Sequence, residues 1–118
     1  MDLTLPRGLR DLGPDDYEEL ERVRSIFIDV AEIFGFRLME PSPIEKLHTL
    51  EAKSGLGVRD EVYHFKDKGG RDVGLRFDLT IGLTRYVSSD RGLPLPVKLG
   101  SFSSMWRYDE PQYGRYRW

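Results

Sequence analysis

Between Pro14 and Gly35 the apolar residues Tyr17, Leu20, Val23, Phe27, Val30, Ala31 and Phe34 recur at steps of three and four. That spacing predicts one continuous helix with a single apolar face directed at a core. Pro14 suits the first helical position, where no N–H is needed. Asp15, Asp16, Glu18 and Glu19 place negative charge at the positive end of the helix dipole, and Gly35 supplies the stop. Residues 1–13, broken by Pro6, Gly8 and Gly13, read as an arm rather than a core element.

Beyond Gly35 the period shortens to two. Phe36, Leu38 and Glu40 alternate with Arg37 and Met39 as in a short strand, which Pro41 and Pro43 end. Residues 44–52 read as a short helix, and 54–59, with two glycines, as a loop. EVYHF and DVGLRF on either side of KDKGGR predict a β-hairpin. A helix over 80–88 follows, entered at Asp78, with Leu79, Leu83 and Tyr86 or Val87 on one face. SDRGLPLP is a loop. VKLGSFSSMWRY reads as a long strand, DEPQY as a turn and GRYRW as the returning strand. No internal repeat or low-complexity tract is present. Helices mixed with mainly antiparallel strands give an α+β fold class.

Composition narrows the chemistry. The 118 residues are 39% hydrophobic, enough for the core of one domain or part of one. A net charge of −2 opposes general polyanion binding, although a local basic site remains open. With no cysteine there is no disulfide framework, thiolate metal site or cysteine nucleophile. No secretory signal is visible and no apolar run approaches the roughly 20 residues that span a bilayer, so the expected setting is the cytosol, away from membranes.

Against that acidic background, RYDEPQYGRYRW gathers Arg107, Arg115 and Arg117 around a turn. Residues two apart on a strand share a face, so Arg115 and Arg117 are expected to point together, with Arg107 joining them across the ladder. Guanidinium forks of this kind match phosphate or carboxylate oxygens in pairs. Asp109 and Glu110 in the turn would accept from an amine or pair with the arginines. The alternative is a surface hairpin laced with weak cross-strand ion pairs. In LRFDLT, Asp78 and Thr80 stand where strand gives way to helix, as ligand-binding residues or, for Asp78, as a helix cap. His48 and His64 have no partners at metal-ligand spacing, no Ser-His-Asp arrangement can be placed, and Gly69-Gly70 is a turn rather than a phosphate loop.

PRGLRDLGP, FGFRLMEPSPIE, the hairpin ending in LRFDLT, and WRYDEPQYGRYRW occur in the order seen in histidyl-tRNA synthetases, and the resemblance covers essentially the whole chain. It implies a partial class II synthetase-like antiparallel sheet with flanking helices. The long helix and Pro41 resemble the family's dimer-forming element, which implies a homodimer. Arg107 matches the arginine that grips the ATP α-phosphate and the histidine carboxylate. Arg115 matches the loop arginine on the terminal phosphates. Asp109 falls where the family usually has a glutamate that meets the adenine amine, with Glu110 beside it as a substitute. Asp78 and Thr80 match residues that hold the histidine α-amino group; many members carry glutamate at the first of these. The resemblance further implies ATP with magnesium, histidyl-adenylate formation, and tRNA(His) as partner of the complete enzyme. GRYRW stops midway along its strand, and the family's later strands and tRNA-reading domain have no counterpart. Residues 1–118 are therefore expected to be an N-terminal fragment of the catalytic domain, without the anticodon-binding domain, binding ATP weakly and charging little tRNA alone. Two further readings stay open: a synthetase-like regulatory subunit of ATP phosphoribosyltransferase that senses histidine, and an inactive dimerising fragment.

Overall fold

The computed structural model describes residues 1–108 and 117–118. Helix α1 runs from Pro14 to Ile33, with Pro14 in its first turn. It ends in a Schellman arrangement: the Gly35 N–H donates to the Glu32 carbonyl and the Phe36 N–H to the Ala31 carbonyl. Gly35 takes φ +81°, the conformation for which glycine is suited.

Strand β1 (Arg37–Leu38) pairs in parallel with β5 (Leu99–Gly100), Arg37 facing Leu99 and Leu38 facing Gly100. A second sheet orders β2 (Ile44–Lys46), β4 (Asp72–Leu75) and β3 (His64–Lys66), antiparallel throughout with β4 central. Between β2 and β3 lie helix α2 (Leu47–Ser54) and a 3₁₀ segment (Leu56–Glu61), and helix α3 (Leu79–Ser89) follows β4. The segment expected to be helical over 44–52 thus divides: Ile44–Lys46 pairs with β4 and the helix starts only at Leu47. The loop expected at 54–59 is largely 3₁₀.

The hairpin and α3 form where the pattern placed them. Asp67 organises the hairpin turn, its Oδ1 accepting from the Gly69 and Arg71 N–H groups, while Gly70 adopts φ +78°. The buried core is Leu47, Leu50, Val58 and Val62, with Phe77 and Ile81 packed against it. It joins α2, the 3₁₀ segment and the start of α3 to the face of β4. Glycine is needed where these layers meet: a Cβ at Gly82 of α3 would stand 2.7 Å from the Pro41 Cβ and 3.3 Å from Glu45 Oε2. Pro41 is fully buried there and Glu45 is held by Arg85. Overpacking of this kind costs about 1–3 kcal/mol. Gly82→Ala is expected to lower the unfolding free energy by that amount, read as a lower urea midpoint with the slope of the transition unchanged.

Two expectations are corrected. The apolar face of α1 is not buried: no residue of the helix is, and Val23 and Val30 stay 49% and 47% exposed. The spacing set the helix correctly, but what lies along it among the described residues, β1 and the 98–102 region, does not cover the face. Phe27 meets the Phe102 ring at 5.5 Å and Arg24 donates to the Phe102 carbonyl. The second correction concerns residues 97–108, expected as one long strand. Only Leu99–Gly100 pairs as strand, and the rest is irregular. The path follows tertiary contacts rather than one neighbouring strand: the Trp106 N–H donates to the Arg76 carbonyl and the Tyr108 N–H to the Glu61 carbonyl. Ser101 and Ser103 hydroxyls lie 2.8 Å apart and Ser103 donates to Glu40.

Candidate active site

The site is built where β4 ends. After Leu75 the Arg76 N–H donates to the Pro43 carbonyl, and the Arg76 carbonyl accepts from the Trp106 N–H at 3.0 Å. The 104–108 segment is thereby laid along residues 76–78. Arg76 itself turns inward and is 3% exposed. Its Nε donates to the Ser104 carbonyl at 2.7 Å, Nη1 to the Pro41 carbonyl at 2.7 Å and Nη2 to Glu40 Oε1 at 3.0 Å. The guanidinium also lies 5.7 Å from the centre of the Trp106 ring. One buried fork thus ties three separate stretches of chain behind the site, a use of arginine that lysine could not reproduce.

Glu40 receives the Ser103 hydroxyl as well as Arg76. The Ser103 hydrogen bond, followed by the hydrogen bond and charge of Arg76, holds its carboxyl below the ordinary value of 4.5, against a raising effect of partial burial. The linkage sign follows from that depression. The stabilisation is fully present above the ordinary glutamate pKa and is lost as pH falls through the lowered one. Glu40→Gln is expected to flatten the stability–pH curve in this acid window below about pH 4.5 and to leave its slope near neutrality unchanged. Denaturant midpoints measured from pH 3 to 7 check this.

In front of Arg76 stand the residues singled out by sequence. Asp78 caps α3, its Oδ1 accepting from both the backbone N–H and the hydroxyl of Thr80 at 2.6 Å. The cap reading of Asp78 is therefore realised, and it locks Thr80 to the carboxylate. Arg107 is exposed, and its Nε donates to the Phe77 carbonyl at 3.2 Å. Because residue 77 adjoins Asp78, a guanidinium and a carboxylate-bearing helix start share one rim of the sheet. Asp109, Glu110 and Arg115 lie outside the described residues.

Arg117 departs from expectation. It does not stand open beside Arg107 but is 6% exposed, with its guanidinium 3.9 Å from the centre of the Tyr108 ring. Its carbonyl accepts from the Arg107 N–H at 2.8 Å, so residue 117 lies beside Arg107. The expected shared face with Arg115 lies outside the described residues; the Arg117 side chain itself is packed on Tyr108. Sequence reasoning also passed over Glu40 and the inward role of Arg76; no local signal marks the latter, since Arg107 too follows a hydrophobic residue.

A separate shallow cleft of about 540 Å³ is lined by residues including Lys46, His48, Arg59, Asp67, Arg71 and Asp72, and contains none of Asp78, Thr80 or Arg107. Its arginines are engaged by carboxylates, Arg59 by Glu51 and Arg71 by Asp67. Among the described residues no three His, Cys, Asp or Glu side chains gather to hold a metal ion, and no helix is long and apolar enough to cross a membrane.

A model of the histidyl-tRNA synthetase family matches residues 8–117. The chain belongs to the histidyl-tRNA synthetase family. A histidine–tRNA ligase of Pyrobaculum islandicum is 45% identical over 112 residues, which are 95% of this chain and 27% of the relative. One from Archaeoglobus fulgidus is 39% identical over 118 residues, 99% of this chain and 29% of the relative. The chain thus spans about a quarter of the length of the curated relatives it matches. The fold is that of solved histidyl-tRNA synthetase-like structures. An ATP phosphoribosyltransferase regulatory subunit/histidyl-tRNA synthetase from Bacillus halodurans superposes with TM-score 0.83 at 21% identity, over 94% of this chain and 30% of the other. The apo histidyl-tRNA synthetase of S. aureus superposes with TM-score 0.77 at 22% identity, over 91% and 26%. The rim formed by Asp78, Thr80 and Arg107 belongs to a family member, and LRFDLT and WRYDEPQYGRYR both fall within the span matched by the family model.

Proposed function

We propose that this chain carries part of the site at which a class II histidine–tRNA ligase activates histidine with ATP, within the N-terminal part of the catalytic domain. The observation that supports the reading is the Arg107 Nε to Phe77 carbonyl hydrogen bond at 3.2 Å, which brings the guanidinium to the residue preceding Asp78. An anion-binding fork and an ammonium-binding carboxylate at one rim match the two ends of an α-amino acid whose carboxylate must meet a phosphate.

In the proposed reaction a histidine carboxylate oxygen attacks the α-phosphorus of ATP. The new O–P bond forms as the bond to the bridging oxygen breaks, and pyrophosphate leaves with the electron pair. Arg107 aligns carboxylate and α-phosphate and stabilises the charge that spreads over the phosphoryl oxygens. Arg115 meets the terminal phosphates, and Asp109, or Glu110 beside it, meets the adenine amine. Asp78, with Thr80 bound to it, faces the histidine ammonium. Magnesium would arrive on the ATP phosphates, since such ions keep few protein ligands at nucleotide sites; no step is assigned to it. Transfer to tRNA(His), a cytoplasmic setting and a homodimer formed through the apolar face of α1 and the Pro41 segment belong to the same proposal for the complete enzyme.

The test replaces the matching 112 residues of the Pyrobaculum islandicum relative with this chain and measures histidine-dependent pyrophosphate–ATP exchange. Exchange by the graft is expected. In that graft Asp78→Asn keeps an oxygen to cap α3 but removes the charge. It is expected to raise the histidine KM by about tenfold or more, since charge-assisted bonds contribute about 1.5–3 kcal/mol, while the melting point changes little. An unchanged KM would leave Asp78 as a cap alone. The Bacillus halodurans structure keeps a second reading in view, a histidine-sensing regulatory subunit. A graft that binds histidine yet exchanges no pyrophosphate would favour it.

A further inference from the structure

The N-terminal arm has no part in the reaction proposed above, yet it meets the return of the arginine-bearing segment. Pro6 to Leu9 form a four-residue turn closed by the Leu9 N–H to Pro6 carbonyl bond at 3.1 Å, with Gly8 at φ +82°. A positive φ at the third position is where such a turn needs glycine. The turn offers two carbonyls to a single residue 110 positions later. The Arg117 N–H donates to the Gly8 carbonyl at 2.8 Å and Arg117 Nη1 to the Arg7 carbonyl at 3.3 Å.

From Arg117 the connections lead straight to Arg107. The Arg117 carbonyl accepts from the Arg107 N–H at 2.8 Å. The buried guanidinium lies on the Tyr108 ring, which meets Tyr63 edge-on at a centroid distance of 5.1 Å. The Tyr108 N–H donates to the Glu61 carbonyl at 2.9 Å. Residues 107–108 and 117 are thus pinned together, and the arm supplies one side of the pin.

We propose that Arg117 is a positioning residue: by binding the Arg7–Gly8 turn and stacking on Tyr108 it clamps the N-terminal arm beside residues 107–108 and fixes where Arg107 presents its guanidinium. The consequence for catalysis rests on the ATP-site reading above, whereas the clamp itself does not. A residue acting through packing differs from a direct phosphate ligand in one testable respect, which is that its effect depends on the arm.

The experiment uses this chain in four forms: unaltered, Arg117→Ala, truncated by residues 1–9, and both changes together. Calorimetric ATP binding is expected to weaken about tenfold in each single variant and by no more in the double one, the signature of two groups acting as a unit. Arg117→Lys is expected to behave like Arg117→Ala, because a point charge cannot stack flat and donate sideways at once. Full binding by the truncated chain, multiplying effects in the double variant, or rescue by lysine would overturn the proposal. Amide exchange of Arg107 gives a readout that needs no nucleotide. It is expected to quicken about tenfold in every altered form while the amides of α3 keep their protection. If the unaltered chain binds no ATP, the nucleotide reading fails and exchange decides the clamp; unchanged Arg107 protection would overturn it.

Discussion

Arg107→Ala is expected to lower histidine-dependent pyrophosphate–ATP exchange by about 10²- to 10³-fold in the grafted enzyme, the range found when one preorganised donor to a developing anion is removed. The loss should fall on kcat and on kcat/KM together, because the charge that Arg107 meets grows as the carboxylate attacks. Stability should hardly change. Arg107 is exposed, and its side-chain bond to the Phe77 carbonyl is at a surface position. Substitutions of that kind shift stability by about 0.5 kcal/mol or less. A tenfold loss or less, or a loss matched by unfolding, would remove Arg107 from the reaction.

Arg76→Ala should do the opposite. Its three nitrogens bond to two carbonyls and a carboxylate from two other stretches of the chain, 40–41 and 104, and the residue is 3% exposed. Truncation strands the Pro41 and Ser104 carbonyls, and each group left without a partner in a buried place costs about 1–3 kcal/mol. A total near 3 kcal/mol is a large share of the roughly 5–15 kcal/mol that holds a domain. The urea midpoint should therefore drop sharply, and any loss of ATP binding should track the unfolded fraction. Arg76→Lys recovers part at most, since one ammonium cannot reach all three acceptors in the geometry of a planar fork. A stable Arg76→Ala variant would mean that the 104–108 segment is held by other contacts.

These two arginines show what a sequence can and cannot disclose. Each is preceded by a hydrophobic residue, in LRF and MWR, and nothing local separates the buried one from the exposed one. Their fates are set by what lies behind the sheet, the Pro41 carbonyl and Glu40, which are distant in sequence. Elements whose determinants are local were legible. The hairpin turn carries its own Asp67 and glycine signals, α3 begins at its own cap, and α1 ends at its own glycine. Burial of α1 was not legible, because period specifies a face but not what covers it. The 97–108 stretch looked like a strand by its apolar content, while its serines and its single bonds to Arg76 and Glu61 belong to a path dictated by tertiary contacts. Of the residues marked by motif, Asp78 and Thr80 are bonded to each other at the start of α3, and Arg107 bonds the carbonyl of the preceding Phe77. Arg117 was marked as their companion and is instead the buried partner of the arm.

The central claim is that ATP is received at the rim where Arg107 adjoins Asp78. Its most direct measurement is an ATP titration of this chain followed by NMR, observing arginine Nε–H signals and backbone amides. The account predicts that the Arg107 Nε–H and the Thr80 amide shift together with a single dissociation constant, while the Nε–H of buried Arg76 moves little. Shifts confined to Lys46, Arg59 and Arg71 around the other cleft, with Arg107 and Thr80 unmoved at saturating nucleotide, would contradict it.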